Sequence, residues 1–259
     1  MPHRPVHPGA SLIQVTDLKK TFHDRKKGEI PAVRGISFVC SPGKVFGLLG
    51  RNGAGKTTTL RMLATILVPT SGTATVAGFD IVEKPAEVRR RIGYLSGDTK
   101  LYDRLTGREL LSYFGSLAGM APPAIAGRIE ALTQPFGLAE LLDRRVGKMS
   151  TGMKQRLSIS RVVFHEPEVL IFDEPTSGLD VIGAHAVLGL IQELKGKGRT
   201  VIFSTHIMTE AERICDEIAI IEEGEILARG DTESIRARAP SRSLEDVFVS
   251  IVGEKIRDR

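Results

Sequence analysis

The hydrophobic positions of this chain alternate between short apolar runs and stretches with helical spacing. The short runs are "LIQVT" (12–16), "ISFVC" (36–40), "VFGLLG" (45–50), "TATVAG" (73–78), "IGYLS" (92–96), "EVLIFDE" (168–174) and "TVIFST" (200–205). A final pair, "IAIIEE" and "EILARG" (218–230), meets at Gly224. The length and β-branched content of these runs predict buried strands, and the glycine between the last two predicts a hairpin.

Between Ser96 and Glu168 the strand signal disappears and helical spacing replaces it. The helical segments are "GRELLSYFGSLAGM", "AIAGRIEALTQPFG" and "GMKQRLSISRVVFH", with breaks at "APP" and near Gly147. Strands that alternate with helices are typical of a parallel α/β sheet. The sequence therefore predicts a parallel α/β core with an all-helical insertion, without internal repeats or low-complexity segments.

Length and composition fit one large domain, or one domain with a subdomain. The chain has 259 residues, of which 41% are hydrophobic, and this is enough to bury a full core. The net charge of +5 fits phosphate ligands or a nearby anionic membrane surface. DNA is an alternative partner on charge alone, but the charges are scattered and Trp is absent.

The cysteines and the N-terminal segment carry no functional signal. Cys40 and Cys215 lack metal-ligand spacing, so we expect buried free thiols in a reducing compartment. The start, "MPHRPVHPGA", lacks the apolar stretch of a signal peptide, and residues 1–10 are predicted to form a flexible tail. No apolar run approaches the roughly 18–20 residues that cross a bilayer. We expect a soluble, cytoplasmic protein.

The segment "GRNGAGKTT", residues 50–58, fits the pattern G-x-x-x-x-G-K-[ST] and is called the phosphate loop below. It follows a predicted strand and opens a predicted helix, "KTTTLRMLATIL". In such loops backbone N–H groups surround the phosphates, the lysine reaches the β- and γ-phosphates, and the hydroxyl residue ligates Mg²⁺. The sequence thus predicts a nucleoside triphosphate site, with these candidate residues: Gly50, Asn52, Gly53, Gly55, Lys56, Thr57 and Thr58.

Two adjacent acids end the apolar run in "VLIFDEPTSGLD", residues 169–180. Their side chains are expected to point to opposite sides of the strand. Asp173 fits the acid associated with Mg²⁺ in such sites, and Glu174 can polarise the attacking water. Acids at strand ends are often merely solvated, but the apolar run and the phosphate loop favour the catalytic interpretation.

The segment "KMSTGMKQRLSISR", residues 148–161, contains no carboxylate, histidine or cysteine. Ser150, Thr151 and Gly152 are predicted to cap a helix that runs from Met153 to Arg161. A helix start offers unpaired N–H groups and the positive end of the helix dipole. Phosphate can bind at such a place.

The order and spacing of these motifs resemble those of the ATP-binding subunits of ATP-binding-cassette (ABC) transporters. The phosphate loop, the signature segment "MSTGM" (149–153), "DEPTSGLD" and His206 carry the resemblance, which covers nearly the whole chain. It implies a P-loop NTPase core with a mostly parallel sheet, an N-terminal antiparallel β portion and an inserted helical subdomain. The implied domains are an ATPase domain at 11–240, with the helical subdomain at about 97–166, and a C-terminal helical extension at 241–259.

The resemblance also implies cofactors, partners and location. Two copies would dimerise around two ATP–Mg²⁺ and drive a separate integral membrane permease at the inner face of the membrane, with no nucleic acid as partner. In this family Ser150, Thr151 and Gly152 face the γ-phosphate of ATP that the second copy holds.

Three further roles carry over from the family by position. Phe22, in "KKTF", matches the aromatic residue that stacks on adenine, although a lone Phe also suits a core. Asp180 matches the residue that contacts the partner's phosphate loop. His206, just after "TVIFST", matches the histidine that contacts the γ-phosphate.

Two positions depart from the family pattern. The signature segment usually begins Leu-Ser-Gly-Gly, whereas this chain has Met149, Ser150, Thr151 and Gly152. Where the family has a glutamine that reaches Mg²⁺ and the attacking water, this chain has Gly97. Glycine has no side-chain oxygen, so either water or the neighbouring Asp98 completes the metal shell; we favour water.

The segments "SGDTKLYDRLT" and "STGMKQRL" and the tail "SLEDVFVSIVGEK" resemble a narrower group, the sodium-export (NatA-like) ATPase subunits. The tail predicts an amphipathic helix capped by Ser243, with an apolar face formed by Leu244, Val247, Phe248 and Ile251. That face either packs on its own domain or contributes to a dimer.

Two rival functions remain on sequence grounds. A soluble cassette protein of DNA repair or translation would usually carry two cassettes, a long coiled coil or zinc cysteines, which this chain lacks. A small-molecule P-loop kinase would leave the signature segment unexplained.

Overall fold

The computed structural model describes residues 12–26, 28–97, 100–239, 241 and 243–257. The predicted flexible tail, residues 1–10, lies outside the described residues, and so does Asp98. The described strands form two sheets: β1 (Ile13–Asp24), β2 (Gly28–Cys40), β3 (Val45–Leu49), β4 (Ser71–Val76), β5 (Phe79–Asp80), β6 (Ile92–Leu95), β7 (Val169–Asp173), β8 (Thr200–Thr205), β9 (Glu217–Glu222) and β10 (Glu225–Asp231).

The smaller sheet is antiparallel and has the strand order β2-β1-β4-β5. β1 and β2 are longer than the predicted runs 12–16 and 36–40, because their outer halves pair with each other up to Asp24 and Gly28. Those halves are largely exposed, so they carry no continuous apolar pattern. The short β5 was not predicted, because two half-buried residues give no periodic signal.

The larger sheet has the order β10-β9-β3-β8-β7-β6 and is parallel except for the β9–β10 hairpin. β3, β7 and β8 are buried along their whole length. A central parallel strand is covered on both faces, and this explains why each appears as a continuous apolar run. The predicted mostly parallel core and antiparallel N-terminal portion are confirmed.

Nine helices lie within the described residues: α1 (Lys56–Leu63), α2 (Pro85–Arg91), α3 (Gly107–Leu117), α4 (Pro122–Thr133), α5 (Thr151–Val162), α6 (Val181–Gly196), α7 (Met208–Ile214), α8 (Thr232–Arg236) and α9 (Leu244–Arg257). α1 contributes Leu60 and Met62 to a core shared with the smaller sheet. It ends before residue 67, the predicted limit, because the chain turns at Thr65, whose φ is +61°.

The predicted helical insertion consists of α3, α4 and α5, which lie between β6 and β7 in the chain. Thr106 and Glu109 form a reciprocal capping box at the start of α3. The two prolines of "APP" occupy the first turn of α4, where a missing N–H costs little. Leu110, Ile129 and Leu157 pack into the same core as Phe172 of β7, so the insertion is joined to the large sheet by continuous apolar packing.

The C-terminal helix α9 packs on its own domain. Leu244, Val247 and Val252 are buried, with Phe248 and Ile251 half-buried against the same core. The Ser243 hydroxyl accepts a hydrogen bond from the N–H of Glu245, as expected of a cap. The predicted amphipathic helix is therefore present, and its apolar face is already covered within the chain.

Both cysteines are buried and free, as predicted. Burial raises the pKa of the Cys215 thiol, so this side chain stays protonated in the core. Of the helices that the structure describes, none combines the length and apolar character needed to span a bilayer.

Candidate functional site

The phosphate loop joins the end of β3 to the start of α1, and its glycines are required by close backbone contacts or by a positive φ. A Cβ atom added to Gly50 would lie 2.3 Å from the carbonyl oxygen of Ile221. One added to Gly55 would lie 2.6 Å from the carbonyl oxygen of Ala32, and Gly55 has a φ of +105°. Gly53 also adopts a positive φ, +86°. Only glycine fits these positions without strain, and the backbone of Gly53 and Gly55 lines a cleft.

The cleft beside this loop has a volume of about 260 Å³. We call it the phosphate cleft, and its lining residues are Ala32, Asn52, Gly53, Gly55, Lys56, Thr57, Thr58 and Glu174. α1 begins at the cleft with no side-chain cap and no acid in its first turn. The first N–H groups of the helix are therefore available to an anion.

Lys56 is the buried cation of the cleft, with 4% of its side chain exposed. Its Nζ donates hydrogen bonds to the carbonyl oxygens of Gly50 (2.8 Å) and Arg51 (3.1 Å). The same Nζ lies 3.1 Å from Oε1 of Glu174. The ammonium group has three N–H donors, and these three oxygens can take them all.

Asp173 ends β7 and is buried beneath Thr57. The Thr57 hydroxyl donates to Oδ1 of Asp173 at 3.1 Å, and the Ser204 hydroxyl of β8 donates to the same oxygen at 2.6 Å. A hydroxyl and a carboxylate oxygen side by side are the hard oxygen donors that Mg²⁺ prefers. Among the described residues no group of three or more His, Cys, Asp or Glu side chains forms a metal centre. A cation at this place would therefore take further oxygens from a phosphate ligand or water.

Glu174 stands between Lys56 and His206. One of its carboxylate oxygens contacts Lys56, and the other lies 3.3 Å from Nδ1 of His206. Its backbone N–H donates to the Ser204 hydroxyl at 3.0 Å, and its φ is +48°. The left-handed backbone places Glu174 past the end of β7, where the alternation of a strand no longer applies. Asp173 contacts Thr57 and Glu174 contacts Lys56, two consecutive residues at the start of α1.

Two supports of the cleft were missed at the sequence level. Ser204 follows the apolar residues of "TVIFST" near the end of β8, and only the pairing of β8 with β7 brings it beside Asp173. The β9–β10 turn is the second support: the N–H of Gly224 donates to the carbonyl of Ala54 at 2.9 Å, while its own carbonyl accepts from Arg34 at 2.8 Å. This turn ties the phosphate loop to β2, and nothing local in the sequence reveals that contact.

The signature segment lies at the start of α5. The Ser150 hydroxyl accepts a hydrogen bond from the N–H of Met153 at 3.3 Å, so Ser150 is the N-cap, as predicted. Thr151 and Gly152 already belong to the helix rather than to the cap. Ser150 and Thr151 are exposed, and within the described residues no hydrogen bond joins either of them to the phosphate loop.

α5 is nevertheless connected to Glu174 through the chain that follows this residue. The Gln155 side chain donates a hydrogen bond to the carbonyl of Pro175. Asp180, at the end of this loop, caps α6 by accepting from the N–H of Gly183 at 2.7 Å. The loop from 174 to 180 therefore spans from the phosphate cleft to the signature helix.

Phe22 and Gly97 lie outside the set of residues that line the phosphate cleft. Phe22 is 38% exposed, pairs across the hairpin with Ile30, and has the Lys20 ammonium 5.3 Å from its ring centroid. It is therefore not a core residue. Among the described residues, a Cβ added at Gly97 would meet only the backbone carbonyl oxygen of Asp173, at 3.8 Å. Gly97 thus lies beside the backbone of Asp173, and a Cβ atom fits there without a close contact.

A second cleft, which we call the groove, lies between α2, β6 and the helical insertion and has a volume of about 1220 Å³. Its wall includes Phe114, Leu117 and Arg161. The Phe114 ring packs edge-on against Tyr113, and Tyr113 in turn against Tyr102, which is 52% exposed. Burial lowers the pKa of the Arg161 guanidinium, which lies over the Phe114 ring at 4.8 Å. No carboxylate of the described chain pairs with Arg161.

Comparisons with known proteins agree with this geometry. A family model described as "ABC transporter" matches residues 33–177. "ABC transporter ATP-binding protein NatA" of Bacillus subtilis (strain 168) is 45% identical over 240 residues, which span 92% of this chain and 97% of that protein. "Nod factor export ATP-binding protein I" of Paraburkholderia xenovorans (strain LB400) is 38% identical, over 92% of this chain and 77% of that protein.

A solved structure described as "Structure of ATP binding subunit of ABC transporter" has the same fold. It superposes with a TM-score of 0.82 at 31% identity and covers 93% of this chain and 100% of that chain. The similarity therefore extends over both sheets and the helical insertion.

Proposed function

This chain belongs to the ATP-binding subunits of ABC transporters, an ATP-binding and ATP-hydrolysing family, and from that premise we propose that two copies close around two ATP–Mg²⁺ to drive an export permease. One observation carries the proposal: Lys56, Thr57, Asp173, Glu174 and His206 converge on one phosphate cleft. A triphosphate bound at this cleft would meet the Lys56 ammonium, the first N–H groups of α1 and the Glu174 carboxylate, which already contacts Lys56.

Each side chain of the cleft has a definite task in hydrolysis. The glycine-rich backbone and Lys56 bind the β- and γ-phosphates, and phosphate oxygens replace Glu174 as a partner of Nζ. Glu174, released from Lys56, orients the attacking water and accepts its proton. His206, in contact with Glu174, fixes that carboxylate and reaches the γ-phosphate. Thr57 and Asp173 would hold Mg²⁺, which neutralises the charge that develops on the transferred phosphoryl group.

The signature segment completes the site from the opposite copy. Ser150 and Thr151 are exposed and make no hydrogen bond to their own phosphate loop, which supports a role toward another molecule. The start of α5, with no acidic residue in its first turn, favours an anion there. Gly152 lets the backbone approach the γ-phosphate, and Asp180 contacts the partner's phosphate loop. Phe22, exposed at its hairpin, stacks on the adenine ring.

The groove is the proposed docking surface for the permease. Leu117, which lines the groove and is 64% exposed, gives it an apolar wall, and Tyr102, 52% exposed, packs beside the groove residue Phe114. Arg161 supplies a cation that pairs with no carboxylate of the described residues. A cytoplasmic helix of the permease with apolar residues and one carboxylate satisfies both features. The groove lies against β6, whose end leads to Gly97, so nucleotide state can be transmitted to the permease. This contact would place the subunit at the inner face of the membrane.

Export is the proposed direction of transport, and sodium the proposed substrate. The resemblance of "SGDTKLYDRLT" and the C-terminal tail to sodium-export subunits supports this choice, as does the 45% identity with the NatA protein. The name of the Nod factor export protein supports export as a direction.

The shared site is tested by the oligomeric state of variants that bind ATP without hydrolysing it. Glu174→Gln with ATP–Mg²⁺ should accumulate a dimer in light scattering, because the amide cannot take the proton. Ser150→Arg added to this variant should abolish the dimer while ATP binding persists. Thr106→Arg, at the cap of α3, is the matched control for a lost cap and an added charge, and it should leave the dimer intact. A strictly monomeric Glu174→Gln protein with ATP bound would contradict the proposal.

A further inference from the structure

Glu210 of α7 is a buried acid that does not line the phosphate cleft. The residue is 7% exposed, and among the described residues no cation forms an ion pair with it. Its Oε2 accepts a hydrogen bond from the Thr205 hydroxyl at 2.8 Å. A carboxylate buried in this way costs free energy unless its hydrogen bonds compensate. What Thr205 holds in place therefore shows what Glu210 does.

The two side chains together replace an ordinary helix cap. α7 begins at Met208, and its N-cap residue is Ile207, whose side chain cannot accept a hydrogen bond. In a capping box, a glutamate three positions after the N-cap accepts directly from the N-cap N–H. Here the Ile207 N–H donates to the Thr205 hydroxyl at 3.0 Å, and that hydroxyl donates to Glu210. The Thr205 hydroxyl thus links Glu210 to the backbone of Ile207.

The segment fixed by this link contains His206, which lies between Thr205 and Ile207. On the other side, the carbonyl of Thr205 accepts a hydrogen bond from the N–H of Gly50 in the phosphate loop at 3.4 Å. The His206 side chain is 43% exposed, so packing alone does not fix its ring. Its Nδ1 nevertheless lies 3.3 Å from Oε2 of Glu174. The backbone on both sides of His206 is what directs the ring toward that carboxylate.

We infer that Thr205 and Glu210 are positioning residues for ATP hydrolysis, because they hold the turn that keeps the His206 ring against Glu174. The inference rests on the proposed roles of His206 and Glu174 in hydrolysis. Neither Thr205 nor Glu210 lines the phosphate cleft, so their loss should lower the rate and not the affinity for ATP. Displacement of a reacting group by about 1 Å can cost about 100-fold in rate, and a turn still held by β8 and α7 should lose less.

The first experiment compares variants that remove the link with variants that keep it. Thr205→Val and Glu210→Met remove the hydroxyl and the carboxylate with little change in size. Each should lower kcat roughly 5- to 20-fold and leave KM for ATP within about twofold. Thr205→Ser keeps the hydroxyl and Glu210→Gln keeps an acceptor oxygen, so both should retain kcat within about twofold. Equal losses in the conservative and the disruptive variants would contradict the inference.

The matched control is Thr200→Val, at the opposite end of β8. Thr200 is also buried, and its hydroxyl accepts a hydrogen bond from the N–H of Gly43 at 2.8 Å. Thr200→Val therefore removes a buried hydroxyl from the same strand, far from His206. It should lower the Tm while kcat stays unchanged. A fall in kcat equal to that of Thr205→Val would show that both losses reflect general destabilisation and would overturn the inference.

A double-mutant cycle with His206→Ala separates positioning from a structural role. In the His206→Ala background, Thr205→Val should lower the rate by no more than about a further twofold, because no ring remains to be positioned. Single-turnover hydrolysis of radiolabelled ATP makes these low rates measurable. If Thr205→Val costs the same factor in both backgrounds, it does not act through His206 and the inference is overturned.

The same variants distinguish this inference from the proposed function. If His206→Ala hydrolyses ATP at the wild-type rate, the proposed role of His206 is wrong and the positioning role falls with it. If His206→Ala is impaired while Thr205→Val and Glu210→Met are not, the proposed role of His206 stands and only the positioning role is overturned.

NMR of the histidine rings gives a readout that does not depend on activity. The chain has six histidines, and the His206 imidazole signal is the one that disappears in His206→Ala. Thr205→Val and Glu210→Met should shift this signal and leave the other histidine signals in place, whereas Thr205→Ser should leave all of them unchanged. A His206 signal that does not move in either disruptive variant would overturn the inference.

Discussion

Lys56 and Glu174 form an ion pair inside the phosphate cleft, with Nζ 3.1 Å from Oε1. The two other oxygens bound to Nζ are the carbonyls of Gly50 and Arg51. A phosphate group that enters the cleft must therefore take a donor that is already engaged. The carboxylate is the natural group to yield, because phosphate brings negative charge toward it. Binding of ATP and release of the base are then one event.

This relationship predicts that Glu174→Gln binds ATP more tightly than the wild-type protein. The neutral amide competes less for Lys56 and does not repel the phosphates, so we expect affinity to rise about three- to tenfold. Hydrolysis should fall at least about 100-fold, because the general base is lost. Calorimetric titration with ATP and a steady-state ATPase assay measure the two effects. Weaker binding by a folded Glu174→Gln protein would contradict the competition between carboxylate and phosphate.

Lys56→Ala removes the buried cation from the same cleft. A charge-assisted contact of this kind contributes roughly 1.5–3 kcal/mol, so ATP affinity should fall about 10- to 100-fold. Lys84→Ala, at an exposed position before α2, is the control for the loss of one positive charge. A thermal melt confirms folding, and titration with ATP gives the affinity. Unchanged affinity would mean that the triphosphate binds elsewhere.

The sequence predicted the buried strands and the phosphate loop because their signals are local. β3 and β7 are central parallel strands, and they show as apolar runs that end in the loop and in Asp173. The outer halves of β1 and β2 were not predicted, because two exposed strands can pair without an alternating pattern of hydrophobic residues. The antiparallel sheet was predicted from the family resemblance and not from hydrophobic periodicity.

Contacts between distant segments of the site could not be predicted. The role of Ser204 depends on β8 lying next to β7, 31 residues away from Asp173 in sequence. The bond from Gly224 to Ala54 depends on the β9–β10 turn lying under the phosphate loop. The positive φ of Glu174 aims its side chain at Lys56, and a non-glycine residue gives no sequence signal for that conformation.

Gly50→Ala tests whether the close packing of the phosphate loop is required. The added methyl would lie 2.3 Å from the carbonyl oxygen of Ile221, so either the loop or β9 must shift. Such overpacking costs about 1–3 kcal/mol, which corresponds to a fall in Tm of about 2–10 °C. ATP affinity should fall about tenfold or more as the backbone cradle moves. Gly189→Ala, in α6 with no atom within 4 Å of the added carbon, should keep the Tm or raise it. Equal behaviour of the two variants in melts and ATP titrations would show that the loop is loosely packed.

Gly97→Gln tests what completes the metal shell where the family has a glutamine. An added Cβ meets only the Asp173 carbonyl oxygen among the described residues, at 3.8 Å, and Gly97 has no positive φ, so the backbone accepts a residue with a side chain here. If water fills this place in the wild-type protein, the new amide oxygen should replace it. We expect ATP affinity within about threefold of wild type and a rise in hydrolysis of about two- to fivefold, because the attacking water gains one more acceptor.

Asp98→Ala, at a position outside the described residues, should leave hydrolysis by the isolated subunit nearly intact. The measurement is the steady-state ATPase rate of both variants and wild type across a Mg²⁺ titration. If Asp98→Ala alone cuts the rate about a hundredfold and raises the Mg²⁺ requirement, Asp98 performs the role of the missing glutamine and water does not.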